Sequence, residues 1–249
     1  MAFFITGDTH GDFRRFLPER FYEQETLTKE DFVTVCGDLG GVWYGDHRDD
    51  EGLDFLERGP LPPSSLRGTM KTMMPCGHTH WRTGTAGRSA AFGPRCSCWS
   101  AGKCLTWAEN GSSPWAEPAA TMSRTASWSR DDPQFLQKLQ RLNARGAAFR
   151  IDHRSWWKEE LPSPEEYQEA RRNLERTGWE VDYIITHCAP TSIQNELLQT
   201  LSRPDELTDF LEEVRQRCRF QYHFFGHYHG DLVIRQKYVL LYEQILRLK

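Results

Sequence analysis

Ala2-Phe3-Phe4-Ile5-Thr6-Gly7-Asp8-Thr9-His10-Gly11-Asp12 reads as a short apolar run, a glycine-aspartate break, and a histidine two places beyond the aspartate. A run of that length and character is what a buried strand gives, and Gly-Asp is the kind of dipeptide that ends one. A short helical stretch is expected after it. The pattern recurs downstream. Phe32-Val33-Thr34-Val35-Cys36 runs into Gly37-Asp38, Val181 to Thr186 delivers His187, and Phe220 to Phe225 delivers Gly226-His227-Tyr228-His229. Between these runs lie helical signals. Phe135, Leu139 and Leu142 recur at helical spacing within Pro133 to Arg145. Ser163-Pro164-Glu165-Glu166 is a capping-box start for a helix expected to reach about Thr177 and stop at Gly178. Asp205 to Cys218 carries Leu207, Phe210, Leu211 and Val214 on one face. Leu232 to Ile234 and Tyr238 to Tyr242 read as closing strands. Such alternation argues for an α/β layered fold.

The chain has 249 residues, a length that many α/β folds fill as one domain. Its formal net charge of −4 gives no electrostatic footprint for nucleic acid or an anionic membrane. Such a protein can still act on phosphates when bound cations carry the positive charge. No stretch approaches the roughly 18 to 20 apolar residues of a membrane span, and Met1 to Thr6 lacks the features of a signal peptide. The expectation is a cytoplasmic protein without a membrane partner. Seven cysteines then read as free thiols or metal ligands rather than a disulfide framework.

Asp8-Thr9-His10, Gly37-Asp38, His187 and Gly226-His227-Tyr228-His229 all stand at expected carboxyl ends of strands, the edge where open α/β sheets bind ligands. Taken singly, Asp8 and Asp38 are ordinary turn residues, and His187 is an ordinary core or loop histidine. Two histidines at i and i+2 after an apolar strand have few structural reasons to exist. Imidazole and carboxylate together suit Mn, Fe, Zn or Ni. Two carboxylates and four imidazoles exceed the needs of one four-coordinate ion and match two divalent ions sharing a carboxylate.

With these residues in place, the chain resembles the calcineurin-like metallophosphoesterases over residues 1–58 and 131–249. Gly7-Asp8-Thr9-His10-Gly11-Asp12 is closest to the branch of serine/threonine protein phosphatases and dinucleoside-polyphosphate hydrolases. The resemblance implies a layered sandwich of two mixed β-sheets flanked by helices. It implies that Asp8, His10 and His229 hold one metal, that His187 and His227 hold a second, and that Asp38 bridges them. It further implies a phosphoester substrate attacked by a metal-bound hydroxide.

One motif of that family is absent: Gly-Asn-His followed by Glu or Asp, whose Asn binds the second metal and whose His is the general acid. Its expected place falls in a segment of foreign composition. Residues 59–130 contain no Asp, Ile, Val, Tyr or Gln, yet hold five of the nine Trp and four of the seven Cys. Low-complexity linkers are not rich in Trp and Cys. The segment reads like translation in the wrong frame. Across Arg67-Gly68-Thr69-Met70-Lys71, a one-base offset forces Glu over Met70 and Lys71 and allows Gly-Asn-His before it. The same offset forces Asp at Met74 and allows Ile-Leu-Glu across Ser127 to Ser129. A frameshift near Arg58, restored near Asp131, is therefore expected, with a real, divergent insertion as the alternative. The frameshift implies that residues 59–130 are irregular and the strand beneath the missing motif unformed. On this reading Gly77-His78-Thr79-His80, and the set Cys76, Cys96, Cys98 and Cys104 with His78 and His80, carry no function. Their spacing matches no CxxC pair. His153 to Glu160 could line a substrate cleft, but its paired Trp156 and Trp157 read rather as packing residues. The alternative function is a catalytically impaired metal-binding protein acting as a binding or sensor module. A zinc-dependent nucleic-acid binder is disfavoured by the acidic balance.

Overall fold

β1 (Phe3–Thr6) and β2 (Phe32–Asp38) lie parallel, Phe3 opposite Phe32 and Thr6 opposite Val35. Both are buried almost throughout, which is why each is a continuous apolar run rather than an alternating one. The computed structural model describes residues 2–28, 31–40, 47, 50–58, 66–69, 97–99, 104–106, 127–128, 133–144, 150–151, 162, 164–199, 201 and 204–248. β3 (Leu66–Thr69) adds parallel to β2, and β12 (Ile245–Arg247) adds antiparallel to β1. The result is a mixed four-stranded sheet in the order β12-β1-β2-β3.

A second mixed sheet has the order β10-β11-β9-β8-β5-β4. Its strands are β4 (Ser97–Trp99), β5 (Cys104–Thr106), β8 (Tyr183–Ile185), β9 (Tyr222–Phe225), β10 (Leu232–Ile234) and β11 (Tyr238–Leu240). The inner four are parallel and the two edge strands antiparallel. β6 (Ser127–Trp128) and β7 (Arg150–Ile151) pair separately.

Period-two alternation sends the β1 side chains to two different cores. Phe3 and Ile5, with Cys36 of β2, meet Ile185, Phe224 and Val239 of the six-stranded sheet, and Leu241 just beyond β11. Phe4, Val33 and Val35 face the other way, onto Phe13, Phe16 and Phe21, with Phe55 and Leu56 of the Asp50–Arg58 helix against them. On the far face of the second sheet, Ile184, Phe225, Ile234 and Leu240 pack with Tyr167, Ala170 and Leu174 of the Pro164–Arg176 helix. Ile193 of Thr191–Leu198 and Leu207, Phe210, Leu211 and Val214 of Glu206–Arg217 join them. The sequence thus yields an α/β protein in which two mixed sheets share a core and helices cover their outer faces.

The helix signals translate closely. Asp205 caps Glu206–Arg217 through a reciprocal pair of bonds with Thr208, and Gly178, at φ +67°, follows the end of Pro164–Arg176. Phe135–Ala144 falls inside its expected range. The stretch after β1 is two single 3₁₀ turns, Phe13–Phe16 and Tyr22–Thr26. Ser163 and residues 153–160, with Trp156 and Trp157, lie outside the described residues.

Part of the reading of residues 59–130 is corrected. Leu66–Thr69 is a strand in register with β2, so the strand expected to be unformed is formed. Cys104–Thr106 occupies an interior position of the six-stranded sheet, between β8 and β4. Strand pairing draws on backbone N–H and C=O groups, which every non-proline residue supplies, so a segment poor in β-branched residues can still be zipped onto a strong neighbour. Apart from these two strands and from Ser97–Trp99 and Ser127–Trp128, residues 59–130, including Cys76, Cys96, His78 and His80, lie outside the described residues. Among the described residues no helix is long and apolar enough to cross a membrane. Among the described residues Cys36, Cys188 and Cys218 are buried and form no disulfide.

Within the second sheet the buried polar residue His223 sits among the rings of Phe220, Phe225 and Tyr238. Burial, helped by the charge of Lys237, pushes its imidazole from 6.5 down to about 3. The unfolded chain therefore takes up a proton near pH 6.5 that the folded chain refuses until about pH 3. This stability is complete above pH 6.5 and is lost as pH falls, at about 1.4 kcal/mol per pH unit. Urea unfolding of the metal-free protein at several pH values between 7 and 5 is expected to record that loss. His223→Gln should reduce the slope by one proton; an unaltered slope would show that His223 titrates normally.

Candidate metal centre

The parallel strands end at a common edge. β1 hands the chain to Gly7-Asp8, β2 ends on Asp38, β8 hands on to Thr186-His187, and β9 to Gly226-His227-Tyr228-His229. All six residues expected from the sequence converge there. His10 Nε2 stands 2.8 Å from His229 Nε2, and Asp8 Oδ2 lies 3.7 Å from the first ring and 3.4 Å from the second. Single donor atoms of these three residues all fall within 4.8 Å of one another, a group able to hold a metal ion. His187 Nε2 stands 3.0 Å from His227 Nδ1. Asp38 reaches both sides, Oδ2 at 3.9 Å from His10 Nδ1 and Oδ1 at 3.9 Å from His187 Nε2. Asp8 lies between them, with Oδ1 3.7 Å from His187 Nδ1. The carboxylates are deep and the rim is open: Asp8 is 1% exposed on its side chain and His229 is 40% exposed.

These spacings fit a metal centre. Nitrogen and oxygen donors about 2.0–2.2 Å from one ion stand roughly 3.0 to 3.5 Å apart along the edges of an octahedral or tetrahedral shell. The spacings among Asp8, His10 and His229, 2.8 to 3.7 Å, bracket that span.

The backbone at the site departs from ordinary geometry. His10, His227 and His229 have φ of +47°, +71° and +47°. For residues with a Cβ, this left-handed region costs on the order of 1–3 kcal/mol each and persists only where surrounding structure enforces it. The enforcement is visible. Thr9 and His10 both donate their N–H to the Asp38 carbonyl at 2.9 Å, and Gly11 donates to that of Leu39. The His227 N–H donates to Asp8 Oδ2 at 3.0 Å. Arg15 donates to Thr6 Oγ1, to the carbonyls of Gly7 and Asp8, and to the Tyr242 carbonyl, tying the β1 loop to the far end of the chain. The Tyr242 ring stacks on His229, centroids 4.8 Å apart.

Two glycines are demanded by the same crowding. A Cβ at Gly37 would sit 1.3 Å from Asp8 Oδ1, and one at Gly226 would sit 2.2 Å from it. The Gly-Asp and Gly-His dipeptides are thus less turn punctuation than clearance for the central carboxylate.

The charges are interlocked. Burial pushes the Asp8 carboxyl up, but His187, His10 and His227, with a hydrogen bond from His229, outweigh it and hold the group at about 2. Burial pushes the His10 imidazole down against the pull of Asp8 and Asp38, favouring the neutral ring that a metal requires. Arg15 and Tyr242 were not singled out in the sequence, because a helix arginine and a terminal tyrosine carry no local pattern. No family model matches the chain, and none of the curated proteins matches it.

Proposed function

We propose that this chain is a metal-dependent hydrolase of phosphoesters with a two-ion site, of the calcineurin-like metallophosphoesterase type that its motifs resemble. The observation that supports this most is the convergence of Asp8, His10, Asp38, His187, His227 and His229 from four strand ends, with Asp38 within 4 Å of a histidine on each side. Asp8, His10 and His229 would hold one divalent ion (Mn, Fe, Zn or Ni), His187 and His227 the other, and Asp38 both. Such ions, when bound, neutralise phosphoryl charge and activate water for in-line attack. The chain's own part is to fix the donors. Asp8 stays ionised at the centre, and the left-handed turns present the rings of His10, His227 and His229. The open side at His229 and Tyr242 leaves room for a phosphoester to approach.

A second reading rests on the missing Asn-His motif: as encoded, the chain binds metal but turns over weakly, serving as a binding or sensor module. Thr69 is the register partner of Asp38, so the position expected to supply the absent donor adjoins the bridging carboxylate. A frame offset over residues 59–130 accounts for its loss.

The test is metal content together with turnover. A folded sample dialysed against manganese should retain about two equivalents, matching the two clusters of donors. Asp38→Asn and His187→Ala, neither at a left-handed position, should each sharply lower uptake. Metal uptake without hydrolysis of an aryl phosphate favours the binding module; absence of uptake overturns both readings.

A further inference from the structure

We infer that His223, acting through Thr186, is a positioning residue for His187; the inference rests on the metal-site reading above. Thr186 immediately precedes His187 in the chain. Its hydroxyl donates to the Cys188 carbonyl at 2.6 Å, so one side-chain bond spans His187 and pins the peptides on both sides of it. The same oxygen stands 2.7 Å from His223 Nε2. A hydroxyl has a single hydrogen. With that hydrogen spent on Cys188, Thr186 Oγ1 can only accept from His223, which fixes the imidazole as the tautomer protonated on Nε2. Its Nδ1 is then a bare acceptor, and it is buried with no hydrogen-bond partner among the described residues.

That bare nitrogen is the informative feature. The pocket is lined by Phe220, Phe225 and Tyr238, and an apolar side chain would fill it without leaving a buried polar atom unsatisfied, a rare condition that calls for a reason. What imidazole adds there is the Nε2 donor to Thr186. The backbone around the pair is already joined, since Thr186 donates to the Phe224 carbonyl and Gly226 to that of His187. The side-chain bonds therefore add orientation: they stop the 186–188 turn from rolling and so hold the His187 ring 3.0 Å from His227. Outer partners of metal-ligating residues commonly govern affinity by about 10- to 100-fold.

Cobalt(II) alone is the probe, read by equilibrium binding and by its visible absorption. Thr186→Val keeps the shape and removes the hydroxyl; Thr186→Ser restores it. The expected result is a fall of about 10- to 100-fold in the affinity of the second ion in Thr186→Val. The first ion should be held as before, and Thr186→Ser should behave like the parent. If Thr186→Val does not fold, His223→Phe and His223→Gln carry the test: glutamine keeps a donor and should retain the second ion, phenylalanine should lose it. Unchanged cobalt affinity in a folded Thr186→Val or His223→Phe protein overturns the inference, as does a Thr186→Ser protein as impaired as the valine variant. Failure of the parent chain to bind cobalt at all overturns the metal-site reading instead, and this inference with it.

Discussion

Replacing residues 59–130 by the sequence of the neighbouring reading frame is expected to raise metal-dependent turnover of an aryl phosphate by about 10²- to 10⁴-fold, the usual worth of a general acid. The offset codons force Glu over Met70 and Lys71 and admit Gly-Asn-His ahead of it. The chain there continues from β3, whose last residue pairs with Asp38. A donor side chain and a proton donor would thus be returned beside Asp38, which lies 3.9 Å from both His10 and His187. Both versions are purified, loaded with manganese and compared under saturating substrate, with Asp38→Asn in the restored chain as the blank. Equal rates would mean that the segment as encoded already supplies these roles. Because β3 and β5 are formed in the present sequence, the gain should appear in the rate far more than in the melting temperature.

Gly37→Ala is expected to be among the most damaging single substitutions in the chain. The added methyl would lie 1.3 Å from Asp8 Oδ1 and 3.2 Å from His187 Nδ1. Asp8 cannot swing aside, since its carboxylate accepts the His227 N–H and its carbonyl accepts Arg15. Overpacking of a tight interior costs typically about 1–3 kcal/mol, and here relief would require moving the central carboxylate. Urea unfolding should report that loss, and manganese uptake should fall even at temperatures where the variant stays folded. Gly178→Ala is a useful contrast: that glycine is left-handed, but a Cβ there meets nothing within 4 Å. It should cost only the local backbone strain and leave metal uptake intact. Normal uptake by Gly37→Ala would place the Asp8 carboxylate elsewhere.

Much of this was legible in the sequence. Parallel buried strands leave continuous apolar runs, so β1, β2, β8 and β9 announced themselves, and with them the four strand ends that carry the donors. Asp205 named the start of its helix because a cap is a local interaction. The Asp50–Arg58 helix was not read, since Gly52 in its first turn weakens the helical signal. Thr191–Leu198 was missed because it has no side-chain cap. β3 and β5 were misjudged for a different reason: their pairing is imposed by neighbours through backbone groups, and composition is silent on that. Nor could any local pattern reveal that Gly37 and Gly226 give clearance to Asp8, or that three of the histidines are left-handed, because these follow from contacts between distant residues.

The bond between Arg15 and Tyr242, and the pairing of β1 with β12, have a consequence for how the protein is made. His10 leaves the ribosome early, but its neighbour His229 and the strand that flanks β1 emerge more than two hundred residues later. Contacts so far apart in sequence form late and slowly. The first half of the nascent chain therefore carries Asp8, His10 and Asp38 before the other donors have been made. Because His187, His227, His229 and β12 all follow residue 130, the donors of the first half find their partners only when the last stretch of the chain has been made.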